Sequence, residues 1–274
     1  MTNPDQNEPQ MALSRRSSQH RNDDLISKVP QVTVAFWIIK ILATTVGETG
    51  GDALSMSLQF GYAVSSLIFL AFFCVTLTIQ VKSKHYHPFT YWSVVIATTT
   101  VGTTMSDFLD RTLKFGYVLS SIILFCGVLA ILLAWYRTTG KIEFENISTR
   151  QNEIFYWVTI LVSNTLGTAL GDFVATDVGL GFGGGAIVFS GLLVIVILAH
   201  FFTNIKASLL FWSAYILTRP LGATLGDTIT KPHAEGGFEL NRITASLTIL
   251  ALMIIAIVLT SNKTKRVLGF RVRA

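Results

Sequence analysis

Four aspartates recur at matched positions in the chain. Each follows an aromatic-Trp doublet: Phe36-Trp37 leads to Asp52, Tyr91-Trp92 to Asp107, Tyr156-Trp157 to Asp172 and Phe211-Trp212 to Asp227, always fifteen residues after the Trp. Glu48 adds a fifth carboxylate four residues before Asp52. Residues four apart share a helix face. Counting back from each acid therefore gives the stripes Thr44-Glu48-Asp52, Thr99-Thr103-Asp107, Asn164-Thr168-Asp172 and Arg219-Ala223-Asp227, the last with Thr224 beside it. Carboxylates among hydroxyl oxygens form a hard ligand set that suits Mg, Ca or Mn. No His or Cys falls in the stripes, which disfavours zinc and copper. Ionised carboxylates crowded away from water demand a cation or a proton, so the same groups could exchange one for the other.

The elements that carry the stripes follow from composition. Only 14% of the 274 residues are charged, 51% are apolar and mean hydropathy is +0.55. Soluble domains carry about 25% charged residues, so water-soluble enzymes and nucleic-acid binders fit poorly despite a pI near 9.3. No nucleic-acid partner is expected. Cys74 and Cys126 both lie in apolar runs and imply neither a disulfide scaffold nor a metal motif. A span needs about 20 mostly apolar residues. Four uniform runs qualify, at Tyr62–Val81, Tyr117–Tyr136, Phe182–Phe202 and Ile243–Thr260. Between them lie Val32–Met56, Tyr91–Phe108, Phe155–Val174 and Leu210–Thr228, each apolar and aromatic at first, then rich in Gly, Thr and acid. The chain thus predicts an all-α integral membrane protein of eight transmembrane helices.

The Trp spacing of 55, 65 and 55 residues divides it into four units, about 31–85, 86–150, 151–205 and 206–262. They form one transmembrane domain between a polar, disordered tail (1–30) and a basic tail (263–274). Each unit holds two spans, so successive units enter from the same side, a parallel repeat. If the units close into a ring, the four Asp converge on one axis. Fifteen Lys and Arg lie on the side of the termini and four (Arg111, Lys114, Lys231 and Arg242) on the other, which places both termini in the cytoplasm. With Trp at the cytoplasmic boundary, a rise of about 1.5 Å per residue puts the acids roughly 22 Å in, within the outer half of the core.

Glycines recur too. Gly47, Gly102, Gly167 and Gly222 follow the Trp by ten residues, and Gly61, Gly116, Gly181 and Gly236 by twenty-four. Gly47/Gly51, Gly102/Ser106, Gly167/Gly171 and Gly222/Gly226 are small-xxx-small pairs. They serve close helix packing or an unwound turn beside the acid. Glu48 and Arg219 have no counterparts in the other units, so specificity or gating belongs at their level. The Asp set has a structural alternative: capping of a restarted helix, or pairing with Arg111, Lys114 or Arg219. His85 and His87 read as a solvated turn. His233, Glu235, Lys231 and Glu239 read as an outer vestibule, and Asp110, Arg111 and Asp177 as the same or as exposed salt bridges.

The cores Thr45-Val46-Gly47 to Asp52, Thr100-Val101-Gly102 to Asp107 and Thr165-Leu166-Gly167 to Asp172 resemble a family of bacterial inner-membrane proteins built from a repeat of unknown function. The fourth unit departs, with Pro220 in place of Thr. The resemblance implies a multi-span bacterial membrane protein and a manganese-exporter role. The expected function is a divalent-cation transporter, Mn(II) leading, with Asp52, Asp107, Asp172, Asp227 and Glu48 as metal ligands and no tightly bound cofactor. Competing readings are an intramembrane carboxylate or metal-dependent enzyme, a transporter of protons or an organic amine, and a non-transporting subunit. The enzyme reading lacks a Ser/His or His-metal set. The oligomeric state is left open.

Overall fold

A computed structural model describes residues 29–83, 86–142, 147 and 149–271, with side chains as far as residue 261. Nearly all of the expected N-terminal tail, the side chains of the basic C-terminal tail, and Lys84 and His85 of the link between the first two units lie outside the described residues. Among the described residues there are eight long helices and no strand: α1 (Val34–Asp52), α2 (Gly61–Lys82), α3 (Pro88–Asp107), α4 (Gly116–Thr139), α5 (Arg150–Asp172), α6 (Gly181–Phe202), α7 (Ala207–Thr230) and α8 (Arg242–Arg271). Local sequence explains several starts. The Thr33 and Thr149 hydroxyls accept from the third amide of α1 and α5, and Pro88 opens α3, where its missing N–H costs nothing.

The odd-numbered helices close into a ring. Helix α1 packs on α3, α3 on α5, α5 on α7, and α7 returns to α1. Each even-numbered helix leans on the inner helix of the next unit: α2 on α3, α4 on α5, α6 on α7, and α8 back on α1. Each inner helix is therefore covered by the outer helix of the preceding unit in the circle.

The aromatic-Trp doublets join the ring. The ring preceding each Trp packs on the Trp of the following unit: Phe36 on Trp92, Tyr91 on Trp157, Tyr156 on Trp212 and Phe211 on Trp37, with centroids 5.6, 5.6, 5.8 and 5.7 Å apart. Trp92, Trp157 and Trp212 are buried. These indoles fill the seams between units.

Glycine does the same work one level further on. A Cβ on Gly47 would collide with Thr99, on Gly102 with Asn164, on Gly167 with Arg219 and on Gly222 with Thr44. Each is the residue seven past the Trp of the next unit. Close approach lets the Thr99 hydroxyl donate to the Ala43 carbonyl and the Thr44 hydroxyl to the Thr218 carbonyl, both at 3.2 Å. The expected unwound turn at these glycines does not occur, since the α-helix runs unbroken to each Asp. The backbone loosens only afterwards, into π-helical turns at Ala53–Ser57, Phe108–Thr112 and Phe173–Asp177.

The fourth unit differs. Helix α7 stays α-helical to Thr230, and an extra loop follows. Gly61, Gly116 and Gly181 open the outer helices at positive φ. Gly236, their match by spacing, sits in this loop six residues before α8. Sequence register and spatial register part company there.

Five helical segments are long and apolar enough to cross a membrane: α2, α4, α6, α8 to Ser261, and α5 with its π-turn. In the four outer helices no more than 28% of the apolar window is buried, against 67% for α5. The outer surface exposes Leu67, Ile122, Ile187, Ile195 and Leu247 among many others, an apolar belt far larger than a soluble monomer leaves uncovered. Both cysteines are free and exposed on that surface.

Candidate functional site

Because the inner helices meet at equivalent residues, positions four apart stack as levels about 6 Å apart. The first level is Phe36, Tyr91, Tyr156 and Phe211, all buried, with the Tyr91 and Tyr156 hydroxyls 2.7 Å apart. Above it lie Lys40, Val95, Ile160 and Tyr215, each fully buried. The Lys40 ammonium has no hydrogen-bond acceptor and rests 4.1 Å over the ring of Tyr215, its own counterpart in the fourth unit.

Next come Thr44, Thr99, Asn164 and Arg219. Arg219 is completely buried and spans the interior. One guanidinium nitrogen donates to Glu48 Oε2 at 3.0 Å, to the Thr103 hydroxyl and to the Thr168 hydroxyl at 2.7 Å. Its other terminal nitrogen reaches the Thr44 carbonyl at 3.4 Å. A single side chain thus ties α7 to α1, α3 and α5. The following level holds Glu48, Thr103, Thr168 and Ala223, where Ala leaves room for the arginine below it. Thr224, the neighbour of Ala223, points elsewhere: its hydroxyl donates to the Pro220 carbonyl of its own helix at 2.9 Å. Small residues again permit contact, with Gly51 against Thr103, Gly171 against Ala223 and Gly226 against Glu48.

The aspartates form the next level, and they do not meet at one point. Asp52 and Asp227 share Lys231, whose ammonium lies 3.0 Å from Asp52 Oδ2 and 3.3 Å from Asp227 Oδ1. Arg242 adds a longer ionic contact to Asp52, at 3.6 Å. Asp107 and Asp172 share Arg111, at 2.8 and 3.7 Å. The expected set of five metal ligands is therefore divided. Glu48, Asp52 and Asp227 each offer an oxygen within 4.8 Å of the other two. Among the described residues, Asp107 and Asp172 do not join that group.

Pairing of the aspartates with Arg111, one of the alternatives the sequence offers, is found, whereas Lys231, expected in an outer vestibule, lies among the acids. Lys231 is buried at 5% exposure, and Arg111 is drawn inward over the acids. Burial works against the Lys231 ammonium, but Asp227 and Asp52 outweigh it and hold its pKa well above the ordinary lysine value. Both bases lie four residues after an Asp, on the same helical face, and that spacing could have revealed them. The matching positions in the first and third units are Met56 and Thr176. A fourfold pattern of acids thus carries a twofold pattern of bases. The loop expected to form a vestibule folds back on α7, where the Phe238 N–H donates to the Thr228 carbonyl, and is closed internally by His233 Nδ1 and the Gly237 carbonyl, 2.8 Å apart. An open cleft of about 520 Å³ lies beside it, lined by Thr176, Phe182, Glu235 and others.

The model of one family, a Repeat of Unknown Function (DUF347), matches residues 35–86, 90–141, 155–206 and 210–265. The chain belongs to that family. The four matches coincide with the four helix pairs, and the gap between the second and third, 142–154, covers the link before α5 and the first turn of that helix. No curated protein and no solved structure matches the chain.

Proposed function

We propose that the chain is a membrane transporter of a divalent cation, with Mn(II) as the leading cargo and export as the direction. The observation that carries this reading is the convergence of three buried carboxylates, Glu48, Asp52 and Asp227, with oxygens within 4.8 Å of one another. They sit inside a ring of helices wrapped in apolar helices. Oxygen-only coordination by several carboxylates suits Mn(II), Mg(II) and Ca(II), and intramembrane acids are expensive enough to be kept for a purpose. The apolar belt supports eight spans in a bilayer. The bias of basic residues supports cytoplasmic termini, and the family resemblance supports a bacterial inner membrane. Protons competing for the same oxygens would serve as the exchanged ion.

One observation favours a second reading. Each of the five carboxylates has a basic neighbour within 4 Å, as a structural ion-pair network in a non-transporting membrane subunit would require. Proteoliposomes loaded with an Mn(II)-sensitive dye separate the two. A transporter moves Mn(II), loses at least about tenfold of its flux in E48Q, D52N and D227N, and retains most of it in D107N, whose acid lies outside the triad. Absence of Mn(II) flux in the wild type, or equal flux in all four variants, favours the structural network.

A further inference from the structure

Lys231 differs from the other bases of the acid level in how it is held. It follows the last residue of α7 and begins a loop that the first three units lack. The loop turns back on the helix it leaves. Phe238 N–H donates to the Thr228 carbonyl at 2.7 Å, Glu239 N–H to the Lys231 carbonyl at 2.9 Å and Leu240 N–H to the Ile229 carbonyl at 3.0 Å. These bonds press the lysine backbone against Gly237, where a side chain would have no room. The ammonium is thereby carried to two of the three carboxylates that form the candidate cation site.

The fit is that of a stand-in. The contact to Asp227 is ionic and lacks hydrogen-bond geometry, and Asp52 Oδ1 is buried without any partner. Arg219 holds Glu48 and Arg242 lies 3.6 Å from Asp52, so Lys231 is the charge shared by Asp52 and Asp227, and oxygens of both stay without a hydrogen bond. A divalent ion would use them and supply a second charge. There is also somewhere for the ammonium to go. It lies 5.9 Å from the ring centre of Phe182, which lines the open cleft between the loop and the third π-turn. Arg111 has a matching ring, Tyr117 at 5.9 Å, but it sits in a π-turn between two acids that do not belong to the triad.

We propose that Lys231 is a tethered counter-ion: its ammonium fills the Glu48–Asp52–Asp227 site between transport events and withdraws toward the cleft beside Phe182 when a divalent cation takes those oxygens. This rests on the carboxylate reading given above and names how the site is kept closed. Exchange of a built-in cation for the cargo spares the acids a period of uncompensated charge, which low-dielectric surroundings would penalise. It also sets a threshold, because the cargo must outcompete a neighbour that cannot diffuse away.

The full-length protein in lipid nanodiscs, titrated with Mn(II) alone and followed by the electron paramagnetic resonance of the free ion, tests this. K231Q binds Mn(II) at least about tenfold more tightly than the wild type, and K231R binds within about threefold of it. Equal or weaker binding by K231Q overturns the tethered counter-ion and leaves the carboxylate site standing. No Mn(II) bound by the wild type or by K231Q overturns the carboxylate reading itself. A second measurement needs no variant. Saturating Mn(II) raises acetylation of Lys231 in the wild type severalfold, read by mass spectrometry, whereas unchanged acetylation at saturation overturns the proposal.

Discussion

The seam between α1 and α7 and the seam between α3 and α5 lie opposite each other in the same ring and are built from equivalent positions. At the acid level the first seam holds Asp52, Asp227 and the added Glu48, with Lys231 buried among them. The second holds Asp107 and Asp172 under Arg111, whose side chain is 36% exposed. At the aromatic level the order reverses. The second seam is polar, joined by the Tyr91 and Tyr156 hydroxyls, while the first has Phe36 and Phe211. The repeat supplies the backbone and the four Asp to both seams. What separates them is a handful of substitutions: Glu48 for Thr, Arg219 for Thr or Asn, and a bridging base that is Lys231 in one seam and Arg111 in the other. In an enclosed interior, one added charge changes which partners every neighbour needs, so a few residues suffice to make one seam a candidate ion site and the other a clasp.

The largest effect to expect from breaking this contrast is at Arg219. R219Q leaves the buried Glu48 carboxyl without its cation, and it removes the donor that holds α1, α3 and α5 together. Loss of one partner from a buried ion pair costs about 3–5 kcal/mol. R111T disturbs a half-exposed base, for which solvent screening limits the loss to about 1 kcal/mol or less. Thermal unfolding in detergent ranks the two. Adding E48Q to R219Q recovers part of the loss, as a double-mutant cycle requires of directly coupled groups.

The glycines sharpen the comparison at the next magnitude. A methyl at Gly222 meets the Thr44 side chain and backbone, and one at Gly102 meets Asn164 less severely. G222A therefore destabilises by about 1–3 kcal/mol, the usual range for overpacking, and by more than G102A. Gly50 faces open space on the same helix as Gly47, so G50A is neutral or stabilising by up to about 1 kcal/mol. The smallest effect is at the aromatic level. Y91F removes one buried hydroxyl bond from the α3–α5 seam, worth about 1 kcal/mol, and F211Y on the other seam cannot restore it.

Much of the arrangement was legible beforehand because the chain repeats it four times. The Trp, Gly and Asp offsets mark inner helices of one length, a shared face and a common level, and the regularity of helical rise turns spacing into height. The helix pairs, the inward face of Thr44, Thr99, Asn164 and Arg219, and the packing use of the small residues follow from that. Two kinds of residue were harder. Trp92, Trp157 and Trp212 have the composition of boundary anchors, and only the neighbouring unit shows that they fill a seam. Lys231 and Arg111 lie on the acid face by spacing, but only Arg111 stands among the partners the sequence offers the aspartates, and the place of Lys231 just past the helix end suggested a vestibule. The loop from 231 to 241 and the π-turn at Phe108–Thr112 fold them inward.

The sequence by itself determined the fourfold register, the eight helices and the level at which the carboxylates stand, because these depend on periodicity within each helix. Tertiary structure alone decided that the ring closes, that each outer helix serves the next unit, and that the acids split into a triad and a bridged pair. Those outcomes depend on which helices become neighbours and on how buried charges satisfy one another across the gaps, and a one-dimensional spacing does not encode either.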